Sequence, residues 1–423
     1  MKAKLNHKFS PKNTAQNTKA QTSQVYCARL FDGKAFYNHV LLEFEEGIIT
    51  RRSFIDPKKI PWDCPCLDGL VVPGFVDLQV NGGGGQLLNN APDINSITQI
   101  IAAHQSKGTT ALMPTLMSDK PEVCAQLVAL VKARGAEIQG LLGLHIEGPF
   151  FAQRRNGAHA ISMIRSPQQD LDSAWLEMLA QLNKNGLAAM LTCAPEVFPL
   201  DWIANLSKTG LKIALGHSDA SYNQAMQAFR AGASGVTHLY NAMPALINRQ
   251  PSLLTASLNH DESWASIICD GYHVDPANIA LAAKIKKDAQ LFLVSDAMAT
   301  VGATVGLDGA HKTFQLYGET LTEKEGQLIN AQGRLAGAAI GMIDAVKYAI
   351  EQVGLPVERV LRMASLYPAC AMNHAGSPQR GLLEIGYRAD FAQVTTDWQV
   401  ISTWVAGTCC FKKQTQALTQ TSS

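Results

Sequence analysis

The sequence predicts an α/β fold, a TIM-like (β/α)8 barrel, together with a small β-sandwich domain formed by both termini. Two observations support this fold class. Eight short apolar runs lie between Leu70 and Met298, and segments with helical spacing separate most of them. Continuous apolar strands that alternate with helices are typical of parallel βα units, and eight such units close into a barrel. Turn-rich, strand-like stretches lie before and after these runs, so the two ends of the chain are expected to pair with each other.

The eight predicted barrel strands are the apolar runs themselves. They begin at Leu70, Thr109, Leu141, Leu187, Leu211, Ser234, Trp264 and Leu291. Most intervening segments carry apolar residues every three or four positions and then a glycine, as in residues 97–108. This is the pattern of a helix that ends in a left-handed cap. Two more helical segments are predicted over residues 337–354 and 357–374.

These patterns divide the chain into a barrel, a two-part β domain and two tails. The predicted bounds are a flexible tail at 1–24, the β-sandwich domain at 25–72 and 381–413, the barrel at 73–380, and a second flexible tail at 414–423. The first tail is polar and lacks the apolar core of a signal peptide.

Composition excludes several classes of protein. The chain has 423 residues, of which 47% are hydrophobic and 17% charged, so a large core is feasible. The formal net charge of +1 gives no reason to expect nucleic acid or a membrane surface as a partner. No apolar run reaches the ~18 residues of a membrane span. The nine cysteines are scattered and odd in number, which argues against a disulfide framework and favours a cytoplasmic location.

Residues that can bind a metal or move a proton end four of the runs. Glu147 ends the third run, His217 the fifth, His238 the sixth and Asp296 the eighth. Because the carboxyl ends of barrel strands meet at one face, these side chains are expected to converge. One carboxylate and two imidazoles are a recurrent ligand set for catalytic zinc, which lowers the pKa of a bound water to about 7. Asp296 is then a candidate general base for that water.

Each of these residues also has a purely structural interpretation. A single histidine is often a hydrogen-bonded core residue, and an aspartate after the eighth run could cap a helix. The ordered occurrence of all four residues at strand ends favours a metal site instead.

The first run suggests how many metal ions bind. It ends with Gln79 and Asn81, two residues apart and therefore on one face of the strand. Many metal-dependent barrel hydrolases have His-x-His here, which helps to bind a second metal. Neutral amides are poor ligands for transition metals, so one metal ion is predicted.

Polar residues in the loops after the strands suit an anionic substrate. They are His159 after the third run, Asn241–Ala242 and Arg249 after the sixth, and His273 at the end of the seventh. Arginine, histidine and backbone N–H groups together make a plausible phosphate site. Each could instead be a surface loop residue, and Arg154 and Arg155 are interpreted as solvated.

Eight motifs in this order carry a family resemblance. They are PGFVDLQVNGGGG, LGLHIEGPF, LTCAPE, LGHSDASY, THLYNAMP, DGYHVDP, LVSDAM and MASLYPA. Together they resemble the N-acetylglucosamine-6-phosphate deacetylases of the amidohydrolase superfamily, over about residues 73–387. The resemblance implies a (β/α)8 barrel with a small β-sandwich. It also implies hydrolysis of the acetamide of N-acetylglucosamine 6-phosphate to glucosamine 6-phosphate and acetate, in amino-sugar catabolism.

The resemblance also assigns roles to residues. It implies that Glu147, His217 and His238 bind one divalent metal ion per subunit, Zn²⁺ or alternatively Fe²⁺. Asp296 resembles the catalytic acid and base, and His159 the residue that polarises the amide carbonyl. The residues matching substrate-binding positions are Asn241, Ala242, Arg249, His273, Leu335, Ala336 and Gly337. In the family this arginine reaches the neighbouring subunit's site, which implies a homodimer.

The departures from the family pattern leave alternatives open. A Leu-Ser-Gly-Ser-Ser segment common in the family is Leu-Ala-Gly-Ala-Ala at residues 335–339 here. Because the hydroxyls are lost, N-acetylgalactosamine 6-phosphate is an alternative main substrate. Hydrolysis of a cyclic amide is disfavoured by the missing His-x-His and by the lack of an apparent carboxylated lysine. A non-catalytic role is disfavoured because all three ligands and Asp296 are present.

Overall fold

A computed structural model of the protein describes residues 23–303, 312–324, 326–373 and 379–414. The predicted flexible tails, 1–24 and 414–423, lie almost wholly outside the described residues. The bounds predicted for the domains remain predictions.

The strands form four groups along the chain. The first group is β1 Ser23–Phe31, β2 Phe36–Glu45, β3 Ile48–Phe54 and β4 Cys66–Pro73. The second is β5 Phe75–Val80, the short pair β6 Gly82–Gly83 and β7 Gln86–Leu87, β8 Thr109–Met117, β9 Gly143–Glu147, β10 Ala188–Cys193, β11 Lys212–Leu215, β12 Gly235–Val236, β13 Trp264–Ile268 and β14 Leu291–Val294. The third is β15 Lys312–Leu316, β16 Glu319–Lys324, β17 Gln327–Ile329 and β18 Leu335–Ala338. The last is β19 Phe391–Val394, β20 Val400–Val405 and β21 Thr408–Lys412.

The α-helices occupy most of the intervals between barrel strands. They are α1 Ile94–Gln105, α2 Pro121–Arg134, α3 Gln169–Ala180, α4 Leu200–Ser207, α5 Tyr222–Ala231, α6 Leu253–Asn259, α7 Pro276–Ile285, α8 Met342–Glu351, α9 Val357–Ala364 and α10 Leu366–Ala371. Among the described residues, no helix is long and apolar enough to cross a membrane.

Helix boundaries follow the local signals in the sequence. Helix α5 begins with a capping box in which Ser221 and Gln224 satisfy each other's backbone N–H groups. It ends at Gly232, whose φ of 115° is left-handed, as the predicted glycine cap requires. The sequence prediction of one helix over 337–354 was wrong at its start, because β18 occupies the first residues and α8 begins at Met342.

The barrel is an eight-stranded parallel sheet in the order β5-β8-β9-β10-β11-β12-β13-β14. A bridge between Val80 and Ala297 joins the first strand to the chain after the last. The Asp296 N–H also donates to the Gln79 carbonyl at 3.0 Å across this seam. All nine residues of β8 and all six of β10 are buried, which explains why these strands read as continuous apolar runs. The predicted fold class is therefore confirmed.

Both ends of the chain build the second sheet, which has seven strands in the order β21-β20-β19-β4-β1-β2-β3. The antiparallel pairing of β19 with β4, in which Phe391 lies opposite Pro73, joins the two ends. This sheet has a core of its own, which includes Val25, Leu42 and Phe391. The predicted terminal β domain is thus present, with β4 leading directly into the first barrel strand.

The four-stranded antiparallel sheet β15–β18 is an insert that the sequence analysis did not identify. It follows the eighth barrel strand and packs Leu316, Leu321 and Leu328 against Met117 and Met298 of the barrel. Strand β18 also bonds to the barrel seam, because the Ala338 N–H donates to the Asp296 carbonyl at 3.0 Å. The insert therefore borders the mouth of the barrel directly beside Asp296.

Candidate active site

Glu147, His217, His238 and Asp296 meet at the carboxyl-terminal mouth of the barrel. Glu147 is the last residue of β9, and the other three each lie two residues beyond a strand end. His217, His238 and Asp296 have positive φ angles of 48°, 34° and 50°. Such left-handed conformations cost about 1–3 kcal/mol each and cluster at functional sites. The local backbone thus turns three of the four side chains towards one point.

The two histidines and the glutamate form a tight, buried cluster. The Nε2 atom of His238 lies 3.2 Å from Glu147 Oε1, and that of His217 lies 3.4 Å from the same oxygen. The two Nε2 atoms are 3.0 Å apart. One carboxylate oxygen and two imidazole nitrogens facing a common point fit a divalent cation, and they leave a position for water.

Burial and mutual charge set the protonation of this cluster. Burial alone would raise the pKa of Glu147, but hydrogen bonds with His217 and His238 outweigh it and hold this pKa well below its usual range. Burial lowers the pKa of His217. Burial would also lower the pKa of His238, but the Glu147 carboxylate outweighs burial and raises this pKa. Glu147 is therefore ionised, as a metal ligand must be.

His217 is oriented by its second ring nitrogen. Its Nδ1 atom lies 2.7 Å from the carbonyl oxygen of Arg155, which can only accept. Nδ1 therefore carries the proton, and Nε2 presents a lone pair to the cluster. A backbone carbonyl behind a ligating histidine is a common way to fix its tautomer. The Phe151 ring stacks on His217 with centroids 4.2 Å apart and holds the imidazole plane.

His159 has the opposite tautomer. Its Nδ1 atom accepts the backbone N–H of Ser118 at 3.0 Å, so in the neutral ring the proton is on Nε2. Burial, with a smaller contribution from the neighbouring His217, lowers the pKa of His159 to about 3, so the ring is neutral at pH 7. Its Nε2 atom lies 3.7 Å from Glu147 Oε2.

On geometry alone, His159 is an alternative to His238 as the third metal ligand. Ligand atoms of Glu147, His159 and His217 lie within 4.8 Å of one another, so this trio is a second arrangement that could hold a cation. We favour His238 because its Nε2 approaches the other two residues more closely. His159 also points an N–H donor, rather than a lone pair, into the site.

Asp296 is held by the two amides of the first strand. Its Oδ1 atom accepts hydrogen bonds from Asn81 Nδ2 at 2.7 Å and from Gln79 Nε2 at 3.1 Å. Gln79 Nε2 also donates to Glu147 Oε1 at 2.8 Å and so links the acid to the cluster. Burial, followed by the charge of Glu147, raises the pKa of Asp296 to about 6. A buried carboxylate with this pKa is a stronger base than an exposed one.

The cluster lies in a cavity of about 260 Å³. Its walls include these residues predicted from the sequence: Asn241, Ala242, His273, Leu335 and Gly337. His273 is fixed by Asp270, whose Oδ2 lies 2.6 Å from His273 Nδ1.

Two predicted substrate residues are not in these walls. Ala336 lies in the wall of an adjoining cavity instead. Arg249 is exposed on the loop after the sixth strand and is absent from the walls of this subunit's own cavity.

The structure adds residues that the sequence analysis did not assign to the site. Arg154 and Arg155, interpreted as solvated, both line the cavity, and so do Met117 and Met298. Arg155 is paired with Asp219 at 2.6 Å. The position of both arginines, seven and eight residues after Glu147 in a strand-end loop, was the signal available in the sequence.

An eight-stranded parallel barrel with a buried Glu–His–His cluster at its carboxyl-terminal mouth defines the class of metal-dependent barrel hydrolases. The comparison with known families agrees. The family model described as "Amidohydrolase family" matches residues 70–410. The chain belongs to the amidohydrolase family, a metal-dependent one.

Individual relatives are similar over nearly their whole length. The N-acetylglucosamine-6-phosphate deacetylase of Haemophilus influenzae is 34% identical, over 79% of this chain and 84% of the relative. The N-acetylgalactosamine-6-phosphate deacetylase of Shewanella sp. strain ANA-3 is 32% identical, over 89% of this chain and 93% of the relative. The crystal structure of N-acetylglucosamine-6-phosphate deacetylase from Pasteurella multocida has a TM-score of 0.83 at 29% identity, covering 92% of this chain and all of that one.

Proposed function

We propose that this protein hydrolyses the acetamide of N-acetylglucosamine 6-phosphate and releases glucosamine 6-phosphate and acetate. It is then a hydrolase of linear amide bonds in amino-sugar catabolism. The observation that carries the proposal is the convergence of Glu147, His217, His238, His159 and Asp296 in one cavity of an amidohydrolase. Relatives at about 30% identity over most of the chain bear the name of this activity.

We assign one divalent cation per subunit to Glu147, His217 and His238. Zinc suits this mixed nitrogen and oxygen set, and Fe²⁺ is the alternative. When bound, the cation polarises a carbonyl and makes water a stronger acid. Gln79 and Asn81 occupy the place of a further ligand pair, yet their amide nitrogens bond to the two carboxylates. This supports a single cation.

The remaining chemistry falls to Asp296 and His159. Asp296 accepts one proton from the attacking water as its oxygen bonds to the acyl carbon. His159 Nε2–H donates to the carbonyl oxygen, where negative charge develops. Asp296 then delivers the proton to the nitrogen as the C–N bond breaks, so that amine and acetate leave. The tautomer set by Ser118 supports the role of His159.

The sugar phosphate is proposed to bind along the part of the cavity wall that carries His273 and Asn241. His273, Asn241 and the backbone of Ala242 offer donors there, and residues 335–337 supply backbone contacts. Arg249 is proposed to reach the site of a neighbouring subunit in a homodimer, which its exposed loop position supports. Within the subunit, Arg154 places a further positive charge at the cavity.

N-acetylgalactosamine 6-phosphate is the second candidate substrate. The Shewanella relative, which covers 89% of this chain at 32% identity, is named for that sugar. The two substrates differ only in the configuration at one sugar carbon, and residues 335–339 carry none of the hydroxyls that could distinguish them.

The test is release of acetate from three substrates side by side, with the metal-loaded protein. We expect turnover of N-acetylglucosamine 6-phosphate that exceeds turnover of the galactosamine epimer and of unphosphorylated N-acetylglucosamine. A chelator should abolish it, and added Zn²⁺ or Fe²⁺ should restore it. Preference for the epimer would support the second candidate. Equal rates with and without phosphate would refute the assignment of Arg249 and His273 to the phosphate.

The proposed location is the cytoplasm. All nine cysteines, five of which are buried, are free thiols, which suits a reducing compartment.

A further inference from the structure

Glu196 is the last residue of the LTCAPE motif, and the proposed function does not use it. It is half-buried and lies three residues beyond the end of β10, which is the neighbour of β11 in the barrel. A tight turn fixes its backbone, because the Ala194 carbonyl accepts the N–H groups of Val197 and Phe198 at 3.0 and 2.9 Å. Phe198 is buried in the core. Glu196 is therefore a carboxylate on a rigid support beside the strand that leads to His217.

Both carboxylate oxygens of Glu196 bind the residues that directly follow His217. Its Oε2 atom accepts the Ser218 hydroxyl at 2.7 Å, and its Oε1 atom accepts the backbone N–H of Asp219 at 2.6 Å. Ser218 is fully buried, and its Oγ atom in turn accepts the Ala220 N–H at 2.9 Å. Hydrogen bonds to a carboxylate are stronger than those between neutral groups. A single side chain thus holds the whole turn from Ser218 to Ala220.

This turn needs support because His217 has a left-handed backbone. Its φ of 48° is a conformation that a residue other than glycine keeps only where the surrounding contacts fix it. Strand β11 ends before His217, and helix α5 begins only at Tyr222. Backbone hydrogen bonds from the Ala152 N–H to His217 and from the Ser218 N–H to Ala242 hold the start of the turn. The bonds to Glu196 hold the part that follows.

Asp219 connects this turn to the second ring nitrogen of His217. Its Oδ1 atom accepts Arg155 Nε at 2.6 Å, and the Arg155 carbonyl accepts the His217 Nδ1–H at 2.7 Å. The contacts therefore form a closed ring from His217 through Asp219 and Arg155 back to His217. Glu196 fixes this ring at the Asp219 backbone. Outer partners that set the orientation and tautomer of a ligating histidine raise the affinity of the site for its metal.

We propose that Glu196 is a positioning residue for the metal site, because it holds the turn that aims His217 Nε2 at the cation. This inference rests on the ligand assignment made in the proposed function. Glu196 is not itself a ligand, since both of its oxygens are bonded to Ser218 and Asp219 and it does not line the active-site cavity. Its loss should therefore weaken binding of the cation.

The experiment measures the Kd for Zn²⁺ by competition with a chromophoric chelator, together with the Tm of the protein without and with Zn²⁺. We expect Glu196→Ala to raise this Kd about 10–100-fold, as loss of an outer partner of a ligand typically does. The increase in Tm that Zn²⁺ causes should shrink accordingly, because this stabilisation depends on the ratio of free Zn²⁺ to Kd. A role in folding alone would lower both Tm values and leave the Kd unchanged, and this result overturns the proposal.

Glu196→Gln keeps the shape of the side chain and should fold even if the alanine variant does not. Its amide oxygen can still accept the Asp219 N–H, but its amide nitrogen presents a donor to the Ser218 hydroxyl, which already accepts the Ala220 N–H. We expect the Kd for Zn²⁺ to rise about fivefold, which corresponds to one lost hydrogen bond. An unchanged Kd in Glu196→Gln overturns the proposal.

Two further variants separate the role of Glu196 from other effects. Glu384→Ala is the matched control, because it removes a half-buried glutamate that pairs with Lys34 at 2.7 Å near the terminal sheet, and it should leave the Kd unchanged. His217→Gln should abolish tight binding. If it kept the Kd, the ligand assignment would fail, and the role of Glu196 with it. Loss of binding in His217→Gln with a normal Kd in both Glu196 variants overturns only the role of Glu196.

Discussion

Asp296 has the position and the environment of a proton-transfer residue. It is buried, bonded to Asn81 and Gln79, and its pKa is raised to about 6. An amide in its place keeps the shape but cannot accept a proton. We predict that Asp296→Asn lowers kcat by about 10²–10⁴ while metal content, measured by elemental analysis, stays stoichiometric. Asp63→Asn, at an exposed aspartate, is the control and should keep normal turnover. Near-normal turnover of Asp296→Asn with metal bound would show that another group moves the proton.

His159 should affect catalysis without affecting metal binding. Its Nε2–H faces the cluster because Ser118 occupies Nδ1. We predict that His159→Gln lowers kcat by about 10²–10³ and leaves the metal in place, since loss of one oxyanion donor costs this much. His217→Gln is the comparison, because it removes a proposed ligand and should lose the metal. If His159→Gln lost the metal as well, His159 would be a ligand.

Sequence reasoning located these residues but not their protonation states. Glu147, His217, His238 and Asp296 could be predicted because each ends a strand, and strand ends of a barrel converge. The tautomer of His159 could not, because it depends on Ser118, which is 41 residues away in the chain. Such contacts arise only when the loops pack.

At the scale of secondary-structure elements, the β15–β18 insert is linked to His159 through the hydroxyl of Tyr317 and the backbone of Ser118. Tyr317 donates from its hydroxyl to the Ser118 carbonyl at 2.6 Å, and Ser118 in turn holds His159. We predict that Tyr317→Phe lowers kcat about fivefold, since a hydrogen bond contributes about 1 kcal/mol and the loss loosens Ser118. The measurement is kcat with saturating N-acetylglucosamine 6-phosphate.

Tyr26→Phe is the matched control for this link. It removes a tyrosine hydroxyl that is 2.7 Å from His39 in the terminal sheet, far along the chain from the barrel mouth. It should leave kcat unchanged. Equal effects of the two variants, or none from Tyr317→Phe, would separate the insert from catalysis.

The elements themselves were predictable to different degrees. The barrel strands and helix α5 could be predicted because a buried parallel strand is continuously apolar and a helix carries its own caps. The insert could not, because its strands are only three to six residues long and half-exposed, so they lack a strong apolar pattern. The start of α8 was misplaced for the same reason, since β18 precedes it.

At the scale of the whole molecule, His104 makes stability depend on pH. It is buried on α1, its Nε2 lies 3.0 Å from the Gly82 carbonyl oxygen, and Lys107 and Asp344 are the nearest charged groups. Burial lowers the pKa of His104, and the hydrogen bond to Gly82 raises it. Burial has the larger effect, so the pKa falls from 6.5 to about 4. Between these values the unfolded chain binds a proton that the folded protein does not, so stability falls as pH falls from 6.5 to 4.

Replacing His104 should remove part of the loss of stability between pH 7 and pH 5. By pH 5 the loss from His104 should reach about 2 kcal/mol relative to pH 7. We predict that the free energy of urea unfolding decreases less from pH 7 to pH 5 in His104→Gln than in the unsubstituted protein. The difference between the two decreases should equal this amount, whatever the stability of the variant at pH 7. His39→Gln, at an exposed histidine, should retain the full decrease. An unchanged decrease in His104→Gln would place the acid sensitivity elsewhere.

The proposed role of Arg249 can be tested in the assembled dimer. Arg249 is exposed and lies outside the cavity of its own subunit. If it serves the neighbouring site, two inactive variants should complement each other. In a mixed dimer of Arg249→Ala and Asp296→Asn, the first subunit keeps its own Asp296 and receives Arg249 from its partner. Random pairing makes about half of the dimers mixed, each with one complete site, so about a quarter of the normal activity should return. Co-expression with two different tags and measurement of the doubly tagged species would test this. A doubly tagged dimer without activity would mean that Arg249 does not act across the interface.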